Sequence, residues 1–121
     1  MADPSNSKPS EADRRDSPRV PMKLLIRDLA EGGSFQELEG DISVGGVAFH
    51  VRYPPTGSQF EVRFRLPGQD KDVRCKAELI RIRDEAEGKG VHLRFLEIDV
   101  DQELAIARYI DDLLEKDARL G

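Results

Sequence analysis

Hydrophobic and polar positions alternate along most of this chain, and the alternation predicts strands. Met22, Leu24 and Ile26 fall on one side of an extended segment, with Lys23 and Arg27 on the other and Leu25 out of phase. Gly32-Gly33 predicts a turn, and a weaker second strand is expected from about Ser34 to Leu38. Val47, Phe49 and Val51 mark a third strand, whose outward face carries Ala48, His50 and Arg52. After the turn residues Pro54-Pro55-Thr56-Gly57, Phe60, Val62, Phe64 and Leu66 alternate with Glu61, Arg63 and Arg65, and Pro67-Gly68 ends the run. Val73, Cys75, Ala77 and Leu79 share the next face. There the phase slips: Ile80 and Ile82 become the apolar positions and Arg81 and Arg83 the polar ones. One inserted residue does this, which predicts a bulge near Leu79-Ile80 or a strand buried locally on both sides. Gly88 and Gly90 lead into a last strand with Val91, Leu93 and Phe95 inward.

The pattern then changes period. Ile106, Ile110, Leu113 and Leu114 recur at helical spacing and form one stripe, with Asp99 or Asp101 available as the cap and Asp99-Gln102 at capping-box spacing. Such a stripe packs against the sheet or against a copy of itself. Six short strands and one terminal helix predict an all-β dominated fold, a six-stranded antiparallel β-barrel with a C-terminal α-helix. The expected organisation is a disordered polar tail over residues 1–13 and a single domain over 14–118. Within it, 14–20 is an arginine-rich segment, 21–98 the barrel and 100–118 the helix.

Composition narrows the functions. The chain has 121 residues, 38% of them hydrophobic and 36% charged, enough apolar material for one small core. No apolar run reaches the ~18–20 residues of a membrane span, and the polar start is unlike a secretory leader; the expectation is a cytoplasmic protein with no membrane insertion. Cys75 is the single cysteine, which excludes an internal disulfide and disfavours a thiolate metal site. The formal net charge of −5 disfavours DNA, RNA and anionic membranes as partners. It does not disfavour a small anion in a local basic pocket.

Catalytic chemistry is poorly supplied. His50 and His92 both alternate with core positions and are expected as solvated residues on outer strand faces, and neither a nucleophile elbow nor a zinc-protease helix motif is present. No catalytic residue and no metal ligand is assigned, and Cys75 reads as a small buried hydrophobe. Two segments carry other chemistry. In Arg14-Arg15-Asp16-Ser17-Pro18-Arg19, three guanidiniums on one tether offer phosphate forks, guanine O6/N7 contacts and stacking; the same run is also compatible with an ordinary solvated charge cluster. In Asp41-Ile42-Ser43-Val44-Gly45-Gly46, Asp41 and Ser43 point to one face of an extended chain. A carboxylate there can accept from a guanine N1-H and N2-H2 edge, and the two glycines permit a tight bend and close ligand approach. The alternative is a turn that merely starts a strand.

Taken together, in this order and before this strand pattern, the two segments resemble the PilZ domain family. Arg15 and Arg19 match its Arg-x-x-x-Arg motif, and Asp41, Ser43 and Gly46 match its Asp/Asn-x-Ser-x-x-Gly motif. Gly88-Lys89-Gly90-Val91-His92-Leu93-Arg94-Phe95 resembles the glycine-rich start of the family's last strand, and the resemblance runs from about Arg14 to Leu114. It implies a six-stranded barrel with a flanking helix and a bacterial receptor for cyclic di-GMP. By that resemblance Arg15 and Arg19 hold guanine and phosphate, Asp41 and Ser43 read the guanine and nearby polar groups, and Gly45-Gly46 keep the strand start open. Arg14, just before the motif, implies a stacked, intercalated ligand dimer. Many relatives carry an aromatic residue late in the fifth strand. This chain has Leu79-Ile80-Arg81-Ile82 and no Trp, which leaves Arg81 as a possible additional ligand residue. No cofactor is implied beyond the ligand, and the expected output is a conformational change relayed to an unidentified protein effector by a monomer or homodimer. The competing reading is a PilZ-like adaptor that binds proteins and no nucleotide. A small-barrel single-strand binder would want stacking aromatics along a basic groove, whereas Phe49, Phe60, Phe64 and Phe95 all fall on core faces.

Overall fold

The computed structural model describes residues 18–120. Six strands, β1 (Val20–Asp28), β2 (Gln36–Ile42), β3 (Gly46–Val51), β4 (Gln59–Phe64), β5 (Val73–Glu85) and β6 (Gly88–Phe95), are followed by one helix, α1 (Val100–Leu120). The strands close into a barrel in the order β1-β2-β3-β6-β5-β4, and every neighbouring pair is antiparallel. This is the architecture the period-two pattern predicts.

Alternation supplies the core. Val20, Met22, Leu24 and Ile26 of β1 face Phe60, Val62 and Phe64 of β4, Val73, Cys75 and Ala77 of β5, and Val91, Leu93 and Phe95 of β6 in one continuous cluster. Phe64 and Phe95 stack with ring centroids 6.2 Å apart. Burial pushes the Cys75 thiol up to about 12, so it stays protonated and packs as a hydrophobe.

Two details depart from the expected pattern, and a third matches it. The second strand is Gln36–Ile42, displaced from the expected Ser34–Leu38; its glutamates carry little periodic signal, and pairing with β1 sets its span through Leu24↔Leu38 and Val20↔Ile42. The first strand begins at Val20, which is buried. The phase slip is a register shift between Leu79 and Arg81, the expected bulge: Leu79 pairs with Leu93 and Arg81 with His92, leaving Ile80 as the extra residue.

The first backbone bond of the helix runs from Glu103 N to the Asp99 carbonyl at 2.8 Å, which puts Asp99 at the N-cap position. Ile106 and Ile110 are buried in the barrel's own cluster, with Ala105, Tyr109 and Leu113 packed at its edge. Leu114, expected in the stripe, is exposed, and Leu113 is the residue of that turn that packs against the core. Away from the helix, the Asp28 carboxylate accepts from the backbone N–H groups of Ala30, Thr56 and Gly57 and so ties two loops together. Partial burial raises its pKa, but these bonds outweigh burial and hold it below the ordinary value.

His50, on the outer face of β3, bridges to the β5–β6 hairpin. Its Nδ1 lies 2.6 Å from Glu85 Oε1 and its Nε2 3.2 Å from the Glu87 carbonyl. Both partners only accept, so the two contacts together favour the imidazolium, in which both nitrogens donate. The Glu85 bond first, then the Glu87 carbonyl, raises its pKa. This contribution to stability is therefore present below the unfolded value and is lost as pH rises through the raised folded one. Melting curves from about pH 5.5 to pH 8.5 should show the advantage of wild type over His50→Gln shrinking as pH rises; a constant difference would contradict this. Ile110→Ala should cost about 2–5 kcal/mol in urea unfolding, as buried large-to-small changes do; a negligible loss would contradict the packing of α1 into the core.

Candidate functional site

The barrel is filled by its own side chains, so recognition has to occur on an outer face. One such face carries a cavity of about 720 Å³. Four parts of the chain line it: Arg19 just before β1, the β2–β3 turn, the bulged stretch of β5 and the outward row of β6.

The β2–β3 turn is built tightly. Asp41 is an exposed β2 residue paired with Ala48, so it belongs to the end of the second strand and not to the start of the third. Ser43 N donates to the Gly46 carbonyl at 2.9 Å, and Ser43 Oγ lies 3.4 Å from the same oxygen. Phe95 N donates to the Gly45 carbonyl at 3.0 Å, which pins the tip of the turn to the end of β6. Asp41 and Ser43 both line the cavity, as their spacing predicts.

The two glycines are not equivalent. A Cβ on Gly46 would lie 2.0 Å from the Leu93 carbonyl oxygen, so β3 and β6 can approach this closely only without a side chain there. A Cβ on Gly45 would meet nothing within 4 Å. Gly46 is a packing requirement, while Gly45 leaves the cavity mouth open.

Across the cavity the bulge matters most. In a regular strand Ile80 and Arg81 would point to opposite faces; the extra residue brings both into the lining. Arg83 follows two residues on, and neither Arg81 nor Arg83 forms an ion pair among the described residues. Arg94 lines the same space from β6 and is paired with Glu78. His92 departs from expectation. It lies on the outer face of β6, but it is half-buried against the cavity, with Nδ1 3.4 Å from Arg19 Nη2. Burial, then the charges of Arg19, Arg83 and Arg81, lower its pKa.

Of the sequence-predicted site residues, Arg19, Asp41, Ser43, Gly45, Gly46 and Arg81 come together around one cavity. Arg14 and Arg15 lie outside the described residues. Sequence reasoning passed over Ile80, Arg83, His92 and Arg94. Their signal was available in the register, because outward positions of β6 and post-bulge β5 must flank the turn that follows Asp41. Among the described residues no cluster of His, Cys, Asp or Glu is arranged to hold a metal, and no helix is long and apolar enough to cross a membrane.

Comparison with known proteins agrees with this geometry. The family model for the PilZ domain matches residues 13–112, and the chain belongs to that family. Among solved structures it is similar to the inhibitor of motility MotI/DgrA of Bacillus subtilis (TM-score 0.67, 19% identity, 85% of this chain) and spans about half of that protein, 52% of its length. It is also similar to a tetrameric PilZ protein of Xanthomonas campestris that self-assembles through a helical bundle (TM-score 0.62, 10% identity, 100% of this chain and 99% of that one). YcgR of Escherichia coli, solved in complex with c-di-GMP, matches at TM-score 0.58 and 26% identity over 88% of this chain and 48% of its own. No curated protein matches the chain significantly.

The glycine asymmetry has a direct test. Gly46→Ala should lose about 1–3 kcal/mol of stability, as overpacked sites do, whereas Gly45→Ala should stay within about 0.5 kcal/mol of wild type. Equal losses in urea unfolding would contradict the assignment.

Proposed function

We propose that this protein is a bacterial, cytoplasmic receptor for cyclic di-GMP that has no catalytic role and passes the signal to a protein partner. The observation that carries the reading is the composition of the outer cavity. In a chain of net charge −5, Arg19, Arg81, Arg83 and Arg94 converge on one space beside Asp41 and Ser43. Cyclic di-GMP presents two phosphates and two guanines. Phosphates take guanidinium forks. A guanine N1-H and N2-H2 edge takes a carboxylate, the role given to Asp41, and Ser43 serves a nearby polar group. Ile80 supplies apolar surface to a base, and Arg81 a guanidinium plane for stacking. The volume lies within the ~300–1,000 Å³ range of small-molecule sites.

Arg15 and Arg19 are assigned to guanine and phosphate, and Arg14 to a second, stacked ligand molecule. Arg19 leads directly into Val20, a buried residue of β1, so ligand that grips Arg19 acts on a residue anchored to the barrel. Val100 and Leu104, exposed four residues apart on α1, are available to an effector or a second copy.

Isothermal titration with cyclic di-GMP tests the reading. Arg19→Ala and Asp41→Ala should each weaken binding by about tenfold or more, since a charge-assisted hydrogen bond contributes about 1.5–3 kcal/mol, and an Arg15/Arg19 double alanine variant should abolish it. A stoichiometry near two supports the stacked dimer and the role of Arg14. No heat and no thermal shift for wild type would overturn the receptor reading in favour of an adaptor that binds proteins alone.

A further inference from the structure

His92 sits on the outward face of β6, between Ala48 of β3 and Arg81 of β5. Arg19 Nη2 lies 3.4 Å from its Nδ1. A guanidinium has only donors and keeps its charge, so Nδ1 is the acceptor and the ring's one proton is on Nε2. The contact therefore favours the neutral imidazole in the free protein, with Arg19 beside it at the cavity.

The groups around it explain why. Arg19 faces it from the segment before β1, and Arg81, Arg83 and Glu85 from β5. Asp41 lines the same cavity from β2, and Arg94 from β6 itself, paired with Glu78. His50, on the same face of β3, is occupied by Glu85. Cations dominate this set, and together with burial they disfavour a further positive charge. A ligand with two phosphates reverses that field: it neutralises the guanidiniums and competes for Arg19, which leaves Nδ1 without its donor.

Resting on the reading of this cavity as a cyclic di-GMP site, we propose that His92 is a further ligand-binding residue, neutral in the free protein and protonated in the complex, so that binding takes up a proton. The proton comes from solvent and adds to Nδ1; no other bond forms or breaks. The imidazolium then faces the ligand's phosphates as an additional cation, and affinity rises as pH falls.

Titration calorimetry at about pH 6 and about pH 8, in buffers of different ionisation enthalpy, reads affinity and proton uptake together. Wild type should bind up to about tenfold more tightly at the lower pH, as a one-unit rise in the His92 pKa on binding delivers, with measurable uptake. His92→Gln should lose both the uptake and the pH dependence, and His50→Gln should keep both. Wild-type affinity independent of pH, or uptake that persists in His92→Gln, would overturn the proposal. The ring ¹⁵N resonances of wild type give a reading that needs no variant: the His92 titration midpoint must move up on saturation with ligand, and an unchanged or lower midpoint overturns it. Absence of binding at both pH values is a separate failure, in which the cyclic di-GMP reading falls and takes this proposal with it.

Discussion

A six-stranded barrel is too narrow to hold anything but its own side chains, and this constraint governs where the molecule can bind a ligand. Closed barrels of about eight strands already have interiors only just wide enough to fill with side chains. Here the inward rows of the strands, with Ile106 and Ile110 of α1, form one continuous core. Every polar group able to meet a ligand is therefore pushed outward by the same alternation that builds the core. The cavity exists because three local irregularities occur side by side: the turn at Ser43–Gly46, the close approach of β3 and β6 at Gly46, and the bulge at Ile80. The buried row of β5, Val73, Cys75 and Ala77, lies before the bulge, and Ile80 and Ile82 beyond it are exposed.

The cavity differs from the Phe35 face in how its guanidiniums are matched. Away from the cavity, one set of cations is matched: Arg27 with Glu61, Arg63 and Arg65 with Asp72, and Lys89 with Asp84. Arg27 and Arg63 also lie over the Phe35 ring, at 4.8 and 5.3 Å from its centroid, which adds cation–π attraction to those pairs. Beside the cavity, Arg81 and Arg83 form no such ion pair among the described residues, and Arg19 rests against the His92 ring. Paired guanidiniums hold a surface together; unmatched ones in a concave site attract an anion. The overall negative charge hides this local concentration.

Much of this was legible in the sequence because burial on one side of a strand leaves a strict period. The rows of β1, β3, β4, β5 and β6 and the bulge at Leu79-Ile80 follow from that period alone. β2 was misplaced because Gln36, Glu37 and Glu39 face solvent and Gly40 contributes no side chain, so pairing with β1 and not hydrophobicity defines its ends. For the site, the spacing of Asp41 and Ser43 was enough to put both on one face. His92 was harder to read, because an outward residue on a strand looks solvated until the register shows what stands opposite. Arg83 and Arg94 were hidden for the same reason: their part depends on where β5 and β6 sit relative to the β2–β3 turn, a long-range property.

The most direct measurement of the central claim is backbone amide chemical-shift mapping of the ¹⁵N-labelled protein as cyclic di-GMP is added. The account predicts saturable shifts concentrated at Arg19, Asp41 to Ala48, Ile80 to Arg83 and His92 to Arg94, with the Phe35 face and the start of α1 little changed at the first additions. Shifts centred elsewhere on the barrel, or a spectrum that does not respond to ligand, would contradict it.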